Sequence, residues 1–185
     1  MSKNILAVIG SPRINGYSSF LAEEVVRKLK SGGNHVEIIS LKDAEIRPCR
    51  ACDSCRKEGS DFCIIDDDMK PLYRKIAESD AILLASPVYW FSISAQMKLF
   101  IDRLYGLNTE ESKILQNKKF GIILSYGDED PIASGVINAI RTYEDMFRYT
   151  KSDLCGILHK REQQERTLSA ALEKDVVEMA GTLSR

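Results

Sequence analysis

Ile5-Leu6-Ala7-Val8-Ile9-Gly10-Ser11-Pro12-Arg13-Ile14-Asn15-Gly16-Tyr17-Ser18-Ser19 is the stretch that decides the fold. An unbroken apolar run passes into a loop of glycine, serine and one arginine. The loop passes into Ala22, Val25, Val26 and Leu29, which repeat at helical spacing. Continuous rather than alternating apolarity marks a strand covered on both faces. Strand, loop and helix in that order open a βαβ unit.

The same alternation continues down the chain. Short apolar runs recur at Val36 to Ile39, Ala81 to Ala85, Phe120 to Leu124 and Leu154 to Leu158. Between them lie helical patterns: Met69, Leu72, Tyr73 and Ile76, then Ile93, Met97, Phe100, Ile101 and Leu104, then Ile132, Val136, Ile140, Tyr143 and Phe147, and last Leu168, Leu172, Val176 and Met179. Asp66, Asp67 and Asp68 with Pro71 read as the start of the second helix. Asp102 and Arg103 read as surface or interface charges, His35 and His159 as surface residues, and Cys155 as a small core residue. Five strands alternating with helices predict an α/β, doubly wound, five-stranded parallel sheet of order 2-1-3-4-5 with helices on both faces. That order puts a ligand crevice at the carboxyl ends of strands 1 and 3.

The totals set bounds. The 185 residues suit one domain over 1–185. A net charge of -1, with 26 basic and 27 acidic residues interspersed, offers no field to hold nucleic acid or an anionic membrane surface. The amino terminus, Met1 to Asn4 followed by a short apolar run, does not read as a signal peptide, and no stretch is apolar enough to span a membrane. The expected location is cytoplasmic, where clustered cysteines suggest metal or redox chemistry rather than disulfides.

The loop at 10–19 can converge amides and hydroxyls on one anion at a helix amino terminus, with Arg13 as a guanidinium partner. It is neither G-x-x-x-x-G-K-[ST] nor G-x-G-x-x-G, so a lone phosphate fits better than a triphosphate or a dinucleotide. The plain alternative is that Gly10 and Gly16 turn the chain while Ser18 or Ser19 caps the helix. After strand 3, Pro87, Val88, Tyr89, Trp90 and Phe91 place three successive aromatics where a loop is ordinarily polar, a surface for a flat heteroaromatic ring. Ser125, Tyr126, Gly127 and Asp128 after strand 4 can flank the same ring, with Gly127 admitting close backbone approach. An apolar interface contact is the alternative reading of the aromatics.

Cys49, Cys52, Cys55 and Cys63 read C-x2-C-x2-C-x7-C inside a cysteine-rich loop at 47–65. Tandem x2 gaps suit a cuboidal cluster, as in bacterial ferredoxins. Zinc, usually held by two separated pairs, and free redox-active thiols remain open.

With Gly10-Ser11-Pro12-Arg13, the four cysteines, Asp67-Asp68-Met69, Ser86-Pro87-Val88-Tyr89, Gln96-Met97-Lys98 and Ile101-Asp102-Arg103 in order, the chain resembles the NAD(P)H-dependent FMN reductase family, and within it the iron-sulfur flavoproteins. The resemblance implies a flavodoxin-like fold and FMN phosphate held by Ser11, Arg13, Tyr17, Ser18 and Ser19. It places the isoalloxazine against Pro87 to Phe91 and Ser125 to Asp128, and a [4Fe-4S] cluster on the four cysteines. It also implies homodimers or homotetramers. Function then reads as flavin electron transfer with no acid-base catalytic residue. Asp128, Glu129 and Asp130 would repel a dinucleotide's phosphates, which favours a ferredoxin-like donor over NAD(P)H. The competing readings are an NAD(P)H-dependent reductase of quinone, azo, nitro or flavin substrates, and a non-enzymatic flavin- or zinc-binding module.

Overall fold

The computed structural model describes residues 2–60, 62–109 and 112–185. Met1, Glu110, Glu111 and Asp61, the last within the cysteine-rich loop, lie outside the described residues. Strands β1 (Asn4–Ile9), β2 (His35–Ser40), β3 (Ala81–Tyr89), β5 (Lys119–Tyr126) and β6 (Asp153–Arg161) form a parallel sheet in the order β2-β1-β3-β5-β6. This is the expected doubly wound order. Added to it is β4 (Ser92–Ile93), which folds back antiparallel onto the end of β3.

The unbroken apolar runs follow from covering both faces. On one face Leu6, Val8, Ile82, Leu84, Phe120, Ile122 and Leu124 pack under helices α2 (Met69–Glu78), α3 (Ala95–Arg103) and α4 (Val136–Thr150). On the other, Ile5, Ala7, Ile9, Ala81, Leu83, Ala85 and Ile123 pack under α1 (Tyr17–Ser31) and α5 (Ala170–Ser184). Each fully buried Leu or Ile contributes about 1.5–3 kcal/mol of transfer free energy. The edge strands differ, because β2 and β6 are buried only in part. A bulge between Phe120 and Gly121 leaves Cys155 out of register and half-exposed, so it is not the core residue expected. Gly121 is required by packing: a Cβ there would lie 2.7 Å from the Met179 sulfur of α5.

Helix starts correct the periodic reading. Ser94 caps α3 by accepting a hydrogen bond from the Met97 amide (3.2 Å), so Ile93 belongs to β4 and Leu104 to a short 3-10 turn, Leu104–Leu107. Gly135 precedes α4, leaving Ile132 exposed, and Ser169 caps α5, leaving Leu168 outside. Ile93 and Leu168 stand directly before their caps and Ile132 three residues before Gly135, so each keeps the spacing but not the helix.

Candidate functional site

The loop after β1 is locked before it reaches α1. The Gly10 amide donates to the Ala85 carbonyl (2.8 Å), and the Ser94 hydroxyl donates to the Gly10 carbonyl (2.7 Å). Ser86 Oγ accepts from the Ser94 amide (3.0 Å), so the ends of β1 and β3 and the start of α3 meet at one point. The sheet's carboxyl edge, where the crevice was expected, is therefore a fixed platform.

On it, Ser11, Tyr17, Ser18 and Ser19 are all buried. The ladder of α1 opens with the Phe20 amide donating to the Gly16 carbonyl (3.0 Å). The amides of Tyr17, Ser18 and Ser19 thus face out of the helix end, where the partial positive charge of the helix lies. Neither Ser18 nor Ser19 caps α1, whose N-cap is Gly16 with no side-chain hydrogen bond. The capping alternative is thereby overturned. Ser18 Oγ, fully buried, has no hydrogen-bond partner among the described residues. A buried hydroxyl left unpaired costs about 1–3 kcal/mol. Gly16 leaves the hollow open, since a Cβ there would stand 2.3 Å from Ser11 Oγ and 3.4 Å from Ser19 Oγ. A hollow of hydroxyls and amides at a helix start suits one tetrahedral anion, so these residues fit an FMN phosphate.

Arg13 is half-engaged elsewhere. Its guanidinium pairs with Glu162 beyond β6 (3.0 Å) and lies over the Tyr89 ring, 5.9 Å from its centroid. The Arg166 guanidinium reaches the Asn15 carbonyl from the same segment. Sequence reasoning missed both Glu162 and Arg166, for they stand more than 145 positions away from their partners and carry no motif.

The aromatic stretch is not a loop as expected. Pro87, Val88 and Tyr89 continue β3, and only Trp90 and Phe91 form the turn, with Tyr89 paired to Ser92. Both turn residues have positive φ, 48° and 66°. Such hairpins normally use Asn-Gly, and non-glycine residues held there cost of order 1–3 kcal/mol each. The strain presents Trp90, 92% exposed, and Phe91, 53% exposed, at the sheet's carboxyl edge. Gly135 (φ 81°) allows the start of α4 to press on this turn, where a Cβ would lie 2.5 Å from Phe91 Cα. Asn138 donates to the Phe91 carbonyl (3.3 Å).

Ser125 and Tyr126 end β5 and are buried, while Gly127 and Asp128 are exposed. A Cβ at Gly127 would meet open space, so the protein's own packing does not require that glycine. Tyr126 sits 6.0 Å from the His159 ring. His159 is therefore half-buried within β6 rather than on the surface, and burial lowers its pKa. The acids after β5 are already engaged: Glu129 pairs with Arg161 (3.2 Å), and Asp130 accepts from the Ile132 amide (2.8 Å).

Cys49 and Cys52 are exposed, and Cys55 and Cys63 half-buried. The Cys55 thiol is pushed up by burial and by the charges of Cys63 and Cys49. Hydrogen bonding with Ser54 holds the Cys52 thiol below the usual range. No group of three or more His, Cys, Asp or Glu is arranged to hold a metal ion among the described residues. The segment bends through three non-glycine left-handed residues, Ala51, Asp53 and Phe62. Arg103 corrects the sequence reading: it is 2% exposed, in a buried pair with Asp67 (2.7 Å). Asp67 therefore serves that pair, besides accepting from the Met69 amide (3.1 Å) at the start of α2. Asp102 remains at the surface, bonded to Lys98 (2.5 Å).

Among known proteins, the chain is 39% identical over 99 residues to an iron-sulfur flavoprotein of Methanocaldococcus jannaschii, covering 54% of this chain and 50% of that one. A second iron-sulfur flavoprotein of that organism is 30% identical over 145 residues, covering 77% and 70%. The chain spans half the length of the first of these relatives. In fold it is similar to the WrbA-like flavodoxin of Agrobacterium tumefaciens (TM-score 0.66, 17% identity, 99% of this chain and 96% of that one). A model of the NADPH-dependent FMN reductase family matches residues 3–143, from β1 through the first half of α4, and the chain belongs to that family.

Proposed function

We propose that this chain is an FMN-dependent oxidoreductase that passes electrons between the flavin and a [4Fe-4S] cluster on Cys49, Cys52, Cys55 and Cys63. The observation that carries the flavin half is the unpaired, fully buried Ser18 hydroxyl in a hollow that Gly16 keeps open. When bound, FMN supplies the hydride and one-electron chemistry. The chain's part is to bind and orient. Ser11, Ser18, Ser19 and the amides of residues 17–19 take the phosphate, and Arg13 is available to it by exchange from Glu162. Pro87 to Phe91 and Ser125 to Asp128 bracket the ring. The exposed Trp90, Phe91, Ile132 and Ile137 offer an apolar surface through which a homodimer or homotetramer would close over it and exclude water.

The cluster half is supported by the tandem cysteine spacing and by the similarity to two iron-sulfur flavoproteins. Anaerobic purification with flavin, iron and acid-labile sulfide assays tests both halves. Flavin with iron and sulfide supports the proposal, flavin alone removes the cluster, and a colourless protein that does not take up micromolar FMN removes the flavin.

A second reading, an NAD(P)H-dependent reductase of quinone, azo or nitro compounds without a cluster, is favoured by one feature. Glu129 is neutralised by Arg161 and the space at Gly127 is open, so the acidic loop is less of a barrier to a dinucleotide than its sequence suggests. Rapid NADPH oxidation with a quinone and no protein donor would select it over a ferredoxin-like donor.

A further inference from the structure

Arg103 is among the largest fully buried side chains of the protein, and nothing in the flavin site uses it. Its guanidinium donates to both Asp67 oxygens (2.7 and 3.2 Å) and to the Arg47 carbonyl (2.8 Å). Asp67 in turn accepts from the Arg47 amide (3.0 Å). Both backbone groups of Arg47 are therefore gripped by one ion pair. Arg47 stands two positions before Cys49 and Asp67 four after Cys63, so the pair closes the neck of the whole cysteine segment. Asp68 accepts from the Glu45 amide (2.8 Å) just outside the neck, and the Tyr73 hydroxyl donates to the Arg103 carbonyl (3.1 Å).

Stability alone does not explain such a pair, because a buried salt bridge is often no better than apolar residues of the same volume. What a bidentate fork adds is direction. The opposite end of α3 is fixed to the flavin loop by the Ser94 hydroxyl on the Gly10 carbonyl. Nine helical residues separate the two attachments, about 13 Å of rigid rise.

We propose that Arg103 and Asp67 are positioning residues that clamp the neck of the cysteine segment onto the carboxyl end of α3, and that α3 thereby sets where the four thiols stand relative to the flavin loop. What the thiols hold rests on the cluster reading above; the clamp itself does not.

The test uses the FMN-loaded, anaerobically purified protein. The variants are Arg103→Lys, which keeps the charge but loses the fork, and Arg103→Met with Asp67→Leu, which removes both charges. Three quantities are read: iron and sulfide per flavin, the rate of tryptic cleavage after Arg50, Arg56 and Lys57 in protein stripped of iron with a chelator, and the FMN Kd. Both variants are expected to lose most of their iron and to be cut about tenfold faster or more, as loss of hydrogen bonds worth about 1.4 kcal/mol would give. FMN Kd should stay within about twofold, because the Ser94 end is intact. Unchanged cleavage overturns the clamp, whether or not iron is lost. Where the double variant fails to fold, Arg103→Lys decides. Faster cleavage in a protein whose parent never carried iron leaves the clamp standing and removes the cluster.

Discussion

Replacing Ser18 by Ala separates stability from function in a way that only a ligand site predicts. The hydroxyl is fully buried and bonds to nothing among the described residues. Removing it relieves an unsatisfied group costing about 1–3 kcal/mol, offset in part by the lost volume. The flavin-stripped variant should therefore be more stable by about 1 kcal/mol, a rise of about 2–4 °C in Tm for a chain of this length. With FMN the sign reverses, because a hydrogen bond to a charged phosphate is worth about 1.5–3 kcal/mol, so Kd should rise about 10- to 150-fold. Thermal melts of stripped protein give the first number, and titration of FMN fluorescence gives the second. A stripped variant less stable than its parent, with FMN affinity unchanged, would mean the hydroxyl belongs to the packing, and the phosphate assignment would go with it.

Four further outcomes follow from the same geometry. Gly16→Ala sets a methyl against Ser11 Oγ at a φ of -67° that alanine adopts freely, so FMN affinity should fall about tenfold or more with little loss of helix, read by the same titration and by circular dichroism. Trp90→Asn with Phe91→Gly relieves two left-handed aromatics and should raise stability by about 1–3 kcal/mol, while loosening the ring and increasing flavin fluorescence; a destabilised hairpin would contradict the strain. His159 has its pKa lowered from 6.5 by burial, so its contribution is complete above pH 6.5 and is lost as pH falls through the folded value; His159→Gln should flatten a melting profile across that window. Asp67→Asn leaves Arg103 buried with its ion pair broken and should cost about 3–5 kcal/mol at neutral pH by chemical denaturation. Burial pushes the Asp67 carboxyl up, but hydrogen bonds from Arg103 and the amides of Arg47 and Met69 outweigh it and hold it below 3.8; the parent's advantage should therefore vanish as pH falls below that value.

The sheet was legible because burial on both faces leaves a mark that needs no partner to be recognised. Ile5 to Ile9 and Phe120 to Leu124 are apolar at every position except Gly121, and each became an interior strand. The hollow proposed for the phosphate was legible for a related reason, since Gly10 to Ser19 is contiguous and its chemistry is local. Boundaries were less so. Ile93, Ile132 and Leu168 keep the helical period but fall outside their helices, because the caps Ser94, Gly135 and Ser169 stand one to three residues after the apolar residue that the spacing would include.

Residue order alone thus determined the strand succession, the place of the hydroxyl-lined hollow and the closeness in sequence of four thiols, each written in neighbours along the chain. Only the tertiary structure decided that Arg103 is buried on Asp67, that Glu162 and Arg166 reach the first loop, and that Trp90 and Phe91 are held in a strained turn. Those contacts join residues far apart in the chain, and a charge or an aromatic looks the same in sequence whether it faces water or a partner. Which it meets is fixed by the packing of helices on the sheet, and that packing is where the free energy of burial and the direction of each hydrogen bond are settled.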